Sequence, residues 1–350
     1  MNLGEVLALL LFLSLIGALA LGFPVALTIG GVALIYAGIG VALGIFDPGY
    51  LSALPNRIYG TMGNETLLAV PLFVFMGLML ERSRIAERLL TTMAGLFGQR
   101  RGGLVIAVML VGAVLAASTG IVGATVVTMG LIALPTMLKS GYDPRLACGT
   151  IASAGTLGQI IPPSVVLVLL GDQIGNAWQQ AQLKLGNFSP TAISVGDLFI
   201  GALIPVLMLV GLYLIYLVAV AFLQPERAPA LSAAELAARP RGRDLLSALF
   251  APLLLVVLVL GSILGGIATP TEAAAIGAVG AAVLAALARQ LSVQRLIEVL
   301  KGTVMMTSMV FLILIGATLF ALVFRGYGGD DLVHRLLDSI PGGVWGAIFA

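Results

Sequence analysis

An all-α polytopic membrane protein is the fold class this sequence predicts, and three observations predict it. The 350 residues are 60% hydrophobic and only 10% charged, where a soluble domain carries about 25% charge; mean hydropathy is +1.12. Apolar runs near the ~20 residues that cross a bilayer recur along the whole chain. Basic residues collect in alternate polar loops, the pattern the positive-inside rule imposes on a multi-pass chain. The net charge of +2 offers no case for a nucleic-acid partner. The single Cys148 excludes a disulfide framework and a cysteine metal site, and the single His334 excludes a histidine metal cluster.

Apolar segments fall at about 5–22, 24–44, 66–81, 103–138, 146–171, 197–223, 245–264, 270–288, 302–324 and 342–350. The first has no basic stretch before it, so it reads as a transmembrane (TM) helix and not as a cleaved signal peptide. Segment 66–81 is short for a span. Segment 103–138 is long, about 36 residues, with a soft centre at 118–125, STGIVGAT. One strongly tilted helix would fit that length. A re-entrant helical hairpin that dips in and returns fits better, because the flanks on both sides are basic: Arg100 and Arg101 before it, Lys139 and Arg145 after it.

The loops 81–101, 139–145, 224–243 and 289–301 carry the arginines and lysines and are assigned to the cytoplasm. The loops 45–65 and 172–196 hold one basic residue each, Arg57 and Lys184, and are assigned outside. Residues 81–98 read as an amphipathic interfacial helix or a solvated connecting arm, with Ile85, Leu89 and Met93 on one face. Residues 172–196 read as a polar outside loop, either a cover for the outer entrance or a plain insertion.

Segment 146–171 is built to break. It holds Gly149, Gly155 and Gly158, the hydroxyls of Ser153 and Thr156, and the pair Pro162 and Pro163. Glycine loosens a helix, and proline removes a donor and clashes one turn back. At membrane depth every freed carbonyl needs a partner, so a broken helix survives only against protein, water or an ion. A simple proline kink is the plainer reading. The functional reading takes unwound carbonyls at Gly155, Thr156 and Gly158 as Na⁺ ligands, with the Thr156 hydroxyl as a further oxygen or as a hold on a substrate carboxylate. The 118–125 tip would face this break, its half-helix ends offering N–H groups to an anion and carbonyls to a cation; a small-residue helix contact is the alternative. Glu272 in Thr269-Pro270-Thr271-Glu272 is a carboxylate beside a span and so a candidate by default. Thr269 as N-cap and Pro270 at the first helical position make it read instead as a first-turn residue, and Glu65 is read likewise.

The chain also repeats. Pro24 matches Pro270 and Gly102-Gly103 matches Gly342-Gly343, offsets of 246 and 240 residues. The two copies start on opposite sides, which makes them inverted repeats. The predicted organisation is residues 1–171 as the first repeat, 172–244 as outside loop, connecting helix and linker, and 245–350 as an incomplete second repeat. A second hairpin and a second break are expected beyond Ala350, ~60 further residues or more if the repeats are alike.

These residues resemble the large membrane subunit, DctM-type, of tripartite ATP-independent periplasmic (TRAP) transporters. The motifs that carry the resemblance are LGFPVA at 21–26, AVPLFVFMG at 69–77, ALPTMLKSGYDPRLA at 133–147, GTLGQIIPPS at 155–164 and ATPTEAAA at 268–275. The resemblance implies an inverted-repeat, elevator-type transporter with a re-entrant helical hairpin and a broken TM helix, in a bacterial inner membrane. It implies Na⁺-coupled import of an organic acid, with a small four-helix membrane subunit and a periplasmic substrate-binding protein as partners. The implied Na⁺ ligands are Ser118, Thr119, Gly120, Gly155, Thr156, Gly158, Ile161 and Pro162, and the implied substrate contacts are Thr156, Thr125 and Ser153. Ile121 stands where such tips usually carry serine, which removes a side-chain ligand there. No cofactor is expected beyond Na⁺ as coupling ion, and the chain has no P-loop for ATP. The substrate is not readable; a monocarboxylate such as a 2-oxo or hydroxy acid is preferred over a dicarboxylate. The rival readings are a carboxylate symporter or antiporter of the same superfamily without a binding protein, and an intramembrane enzyme, for which the spans hold no Ser/His pair.

Overall fold

The computed structural model describes residues 2–83, 85–120, 122–232, 243–341, 343 and 345–346. Among these every regular element is helical: α1 (Leu3–Ala20), α2 (Val25–Ala42), α3 (Leu54–Met62), α4 (Ala69–Arg82), α5 (Ile85–Phe97), α6 (Gly103–Thr119) and α7 (Val122–Lys139). There follow α8 (Pro144–Thr156), α9 (Val165–Lys184), α10 (Val195–Leu223), α11 (Arg243–Leu264), α12 (Pro270–Leu287), α13 (Val293–Gly326) and α14 (Gly329–Asp338). Five of the described helices, α1, α2, α10, α12 and α13, are each long and apolar enough to cross a membrane. This is a polytopic membrane protein.

Packing divides the chain into two units, Met1–Asn64 with Met305–Ala350, and Glu65–Val304. In the first, a reciprocal cap starts α1: Glu5 N–H donates to Asn2 Oδ1 at 2.8 Å, and Asn2 N–H donates back to Glu5 Oε2 at 3.2 Å. The same buried Glu5 pairs with Arg335 of α14. Leu7, Leu11, Ala33, Ala37, Phe46, Leu319 and Val323 form the core of this unit. Tyr327 joins them and donates its hydroxyl to the Tyr36 carbonyl. A methyl group at Gly316 would lie 2.9 Å from the Ala26 carbonyl, so glycine is what lets α13 approach α2.

In the second unit α4 packs against α12, and α6 packs against α5, α7 and α8. The core is a continuous apolar cluster from α5 (Leu89, Met93), α6 (Val105, Val108), α7 (Met129, Met137), α8 (Ala147, Ile151) and α10 (Leu217). Leu89 and Met93, expected on an interfacial face, are covered by protein; Arg84 and the side chains of Ile85 and Arg88 lie outside the described residues.

Three element boundaries differ from expectation. α9 runs to Lys184, well past the apolar run, because NAWQQAQLK loses hydropathy but keeps good helix formers. Gly186 then stops the chain's helical course at φ +80°. α13 starts at Val293 inside the expected basic loop. The expected loop 45–65 folds into a 3₁₀ turn, Pro48–Ala53, and α3. Residues 233–242 of the expected linker lie outside the described residues.

Candidate functional site

The 103–138 segment folds as two helices, α6 of 17 residues and α7 of 18, packed on each other. At 1.5 Å per residue each is about 25–27 Å long. The turn between them begins at Gly120, which sits at φ +61° and donates its N–H to the Ala116 carbonyl at 3.2 Å. That left-handed cap is a glycine position. Ile121 and the side chains of Ser118 and Thr119 lie outside the described residues.

The base of the hairpin is clasped. The Tyr142 hydroxyl accepts the Leu104 N–H at 3.3 Å, and burial pushes its pKa up to about 12. The segment after α10 adds backbone bonds: Gly102 N–H to the Ala228 carbonyl at 2.9 Å, Leu231 N–H to the Gly98 carbonyl at 2.9 Å, and Asp143 N–H to the Arg227 carbonyl at 3.0 Å. An ion pair between Arg227 and Asp143 at 3.6 Å lies beside them.

The expected broken helix is broken. α8 ends at Thr156, a 3₁₀ turn covers Leu157–Gln159, the Pro162–Pro163 bond is cis, and α9 starts at Val165. Ser164, fully buried, bridges the gap: its Oγ donates to the Gln159 carbonyl at 2.6 Å and accepts the Leu167 N–H at 3.4 Å. Ile160 and Ile161 donate to the Leu157 carbonyl at 3.0 and 2.8 Å. Among the described residues no hydrogen bond reaches the carbonyls of Ile160, Ile161, Pro162 or Pro163.

The tip and the break meet. A methyl group at Gly120 would lie 3.4 Å from the Pro163 carbonyl oxygen and 3.8 Å from the Val165 nitrogen. One at Gly158 would lie 3.6 Å from the Ala116 Cα of α6. One at Gly155 would lie 2.2 Å from Val126 Cγ2 and 3.2 Å from the Val126 nitrogen of α7. So α6 and α8 end, and α9 begins, along one seam. Helix C-terminal carbonyls and unwound carbonyls favour a cation there, and the α9 N-terminus favours an anion.

The structure brings Gly120, Gly155 and Gly158 together in this seam, with Ile161 and Pro162 in the break. Thr125 is buried in the first turn of α7, next to Val126. The exposed Thr156 donates its hydroxyl to the Ser153 carbonyl at 2.8 Å, leaving its oxygen lone pairs for a ligand. Ser153 itself lines a different cavity, of about 200 Å³, with Arg145, Tyr213 and Tyr216. Glu272 is a capping residue: its carboxylate accepts the Thr269 N–H at 2.8 Å and the Thr269 hydroxyl at 2.9 Å. Thr271 donates to the Glu65 carbonyl at 2.9 Å, tying α12 to the turn before α4.

One residue was missed. Gln159 Oε1 is buried and has no hydrogen-bond partner among the described residues. A buried acceptor left unmade costs about 1–3 kcal/mol, so it needs an explanation. The signal that could have found it is plain: an amide side chain inside an apolar run, between Gly158 and the two prolines.

Comparison with known proteins gives the following. The family model for the tripartite ATP-independent periplasmic transporter, DctM component, matches residues 12–350. The C4-dicarboxylate TRAP transporter large permease protein DctM of Pseudomonas aeruginosa is 36% identical over 281 residues, covering 79% of this chain and 60% of that protein. Its namesake in Vibrio cholerae is 34% identical over 278 residues, covering 77% of this chain and 54% of that protein. The Rhodobacter capsulatus DctM is 30% identical over 327 residues, covering 92% of this chain and 70% of that protein. The chain thus spans between about half and two thirds of the length of the first two relatives.

Proposed function

The chain belongs to the DctM-component family of tripartite ATP-independent periplasmic transporters, whose members are permease subunits and not enzymes, and from that premise we propose that it forms part of a Na⁺-coupled organic-acid importer. It is a multi-pass protein of the bacterial inner membrane. The observation that carries the proposal is the seam where Gly120 meets the Pro163 carbonyl, which, with the three carbonyls of Ile160, Ile161 and Pro162 before it, accepts no hydrogen bond among the described residues. Bare carbonyl oxygens at a helix break can replace the hydration shell of an alkali cation. Gly120, Gly155, Gly158, Ile161 and Pro162 supply the backbone of that site, Thr156 adds a hydroxyl and Gln159 an amide oxygen; Ser118 and Thr119 stay ligand candidates from the sequence, their side chains lying outside the described residues. Bound Na⁺ would close the tip onto the break. The positive end of α9, with Thr125 and Thr156, then holds the carboxylate; Ser153, facing the Tyr213 cavity, is left out of it.

The relatives' names favour a C4-dicarboxylate over the monocarboxylate preferred from the sequence. The substrate is handed over by a periplasmic binding protein, with the small four-helix subunit alongside in the membrane. Inverted repeats and an elevator movement of the hairpin complete the proposal.

The test is uptake of labelled succinate into proteoliposomes holding the full-length permease, its small subunit and its binding protein. An inward Na⁺ gradient should drive accumulation and an equal K⁺ gradient should not. Accumulation under both gradients would remove the coupling.

A further inference from the structure

At the base of the hairpin, away from the seam, lies a recess of about 520 Å³ between the loop 98–102 and the last turns of α10. Its floor is apolar: Phe97, Ile106, Val218 and Phe222 line it, and Phe222 is 81% exposed. Arg100 and Arg101 stand on its rim, and no carboxylate lines it.

Neither arginine makes an ion pair among the described residues. Arg82, Arg227, Arg325 and Arg335 pair with Glu298, Asp143, Asp330 and Glu5 respectively. The first amides of α6 are already used: Gly102 donates to Ala228, Gly103 to the Arg100 carbonyl, and Leu104 to the Tyr142 hydroxyl. What remains for an anion is two arginines on one rim, with no carboxylate among the residues that line the recess. Guanidinium prefers phosphate, which it grips through two parallel hydrogen bonds.

We propose that this recess is a binding site for an anionic phospholipid. The phosphate sits between Arg100 and Arg101, and one acyl chain lies along Ile106, Val218 and Phe222. A free phosphate would satisfy the arginines and leave the apolar floor wet. A helix of a partner protein would cover the apolar floor but gives the two arginines on the rim no role. The rim belongs to the basic loop 81–101 that the positive-inside rule assigns to the cytoplasm, where anionic headgroups and basic pockets between helices meet. A lipid held there would brace the hairpin base, which the Tyr142 and Ala228 bonds also hold.

The test measures lipid retention by the full-length permease, extracted from nanodiscs of mixed phosphatidylcholine and phosphatidylglycerol, by native mass spectrometry. Wild type should retain phosphatidylglycerol in preference to phosphatidylcholine. Arg100→Gln with Arg101→Gln should weaken phosphatidylglycerol about thirtyfold, two contacts of ~1 kcal/mol each. Phe222→Ser should weaken it while leaving both arginines in place. Both arginines and Phe222 are exposed, so these variants are expected to fold, and a thermal melt checks it. Equal retention of the two lipids by wild type overturns the proposal. So does undiminished phosphatidylglycerol retention by the folded double variant, or inorganic phosphate displacing the lipid together with no effect of Phe222→Ser. Retention that disappears when the small membrane subunit is bound overturns it too, by assigning the recess to protein.

Discussion

Three glycines in the seam should respond differently to the same added methyl group. At Gly155 the new Cβ would meet Val126 Cγ2 at 2.2 Å and the Val126 backbone at 3.2–3.3 Å. The side chain can turn aside, but the backbone of α7 has to move. Overpacking of this kind costs about 1–3 kcal/mol. At Gly120 there is space, with the nearest atom 3.4 Å away, but φ is +61°. A residue with a Cβ in that left-handed conformation costs about 1–2 kcal/mol. At Gly158 the nearest atoms lie at 3.6–3.7 Å, ordinary contact, and no positive φ is involved. Alanine there should be tolerated, or should stabilise by up to about 1 kcal/mol through the unfolded state. The assay is thermal unfolding of the purified full-length permease, paired with the Na⁺ concentration giving half-maximal uptake. Gly155→Ala and Gly120→Ala should melt lower and need more Na⁺, because both shift carbonyls that line the seam. Gly158→Ala should melt no lower than wild type and need no more Na⁺. If Gly158→Ala is as damaging as Gly155→Ala, the packing argument is wrong.

Gln159→Leu removes the unpaired amide oxygen, so it should raise stability by about 1–3 kcal/mol and raise the Na⁺ requirement; a stability gain with unchanged Na⁺ dependence excludes Gln159 from the ion site. Thr269→Ala removes the cap of α12, which should cost about 0.5–2 kcal/mol in a thermal melt without altering Na⁺ dependence. The Tyr142 hydroxyl has a pKa raised from 10.0 to about 12 by burial. The native state therefore holds that proton more tightly than the unfolded chain does. The corresponding stability is complete below pH 10 and is lost as pH rises to about 12, by roughly 2–3 kcal/mol at 1.4 kcal/mol per unit. Alkaline unfolding of Tyr142→Phe should lack this step.

The hairpin and the break were legible because their signals are local. Basic flanks on both sides of 103–138 allow only an even number of crossings, and Gly155, Gly158, Pro162 and Pro163 weaken one helix wherever it lies. The capping role of Glu272 was legible for the same reason, since Thr269, Pro270 and Glu272 are all within one turn. What was not legible is register. That Gly155 touches Val126, and Gly120 the Pro163 carbonyl, depends on how three helices stack, and no sequence period encodes it. Ser153 shows the cost: it shares α8 with Gly155 yet lines the Tyr213 cavity. The end of α9 was misjudged because hydropathy falls at Asp172 while helix propensity persists to Lys184. Hydropathy marks where a helix leaves the membrane, not where it ends.

The account stands on the seam as a cation site, and direct Na⁺ binding tests that most closely. Equilibrium binding of radiosodium to the purified full-length permease, without substrate or partners, should be saturable, should resist an excess of K⁺, and should weaken in Gly155→Ala and Gln159→Leu but not in Gly158→Ala. No saturable binding, or binding that is indifferent to Gly155→Ala and Gln159→Leu, would contradict it.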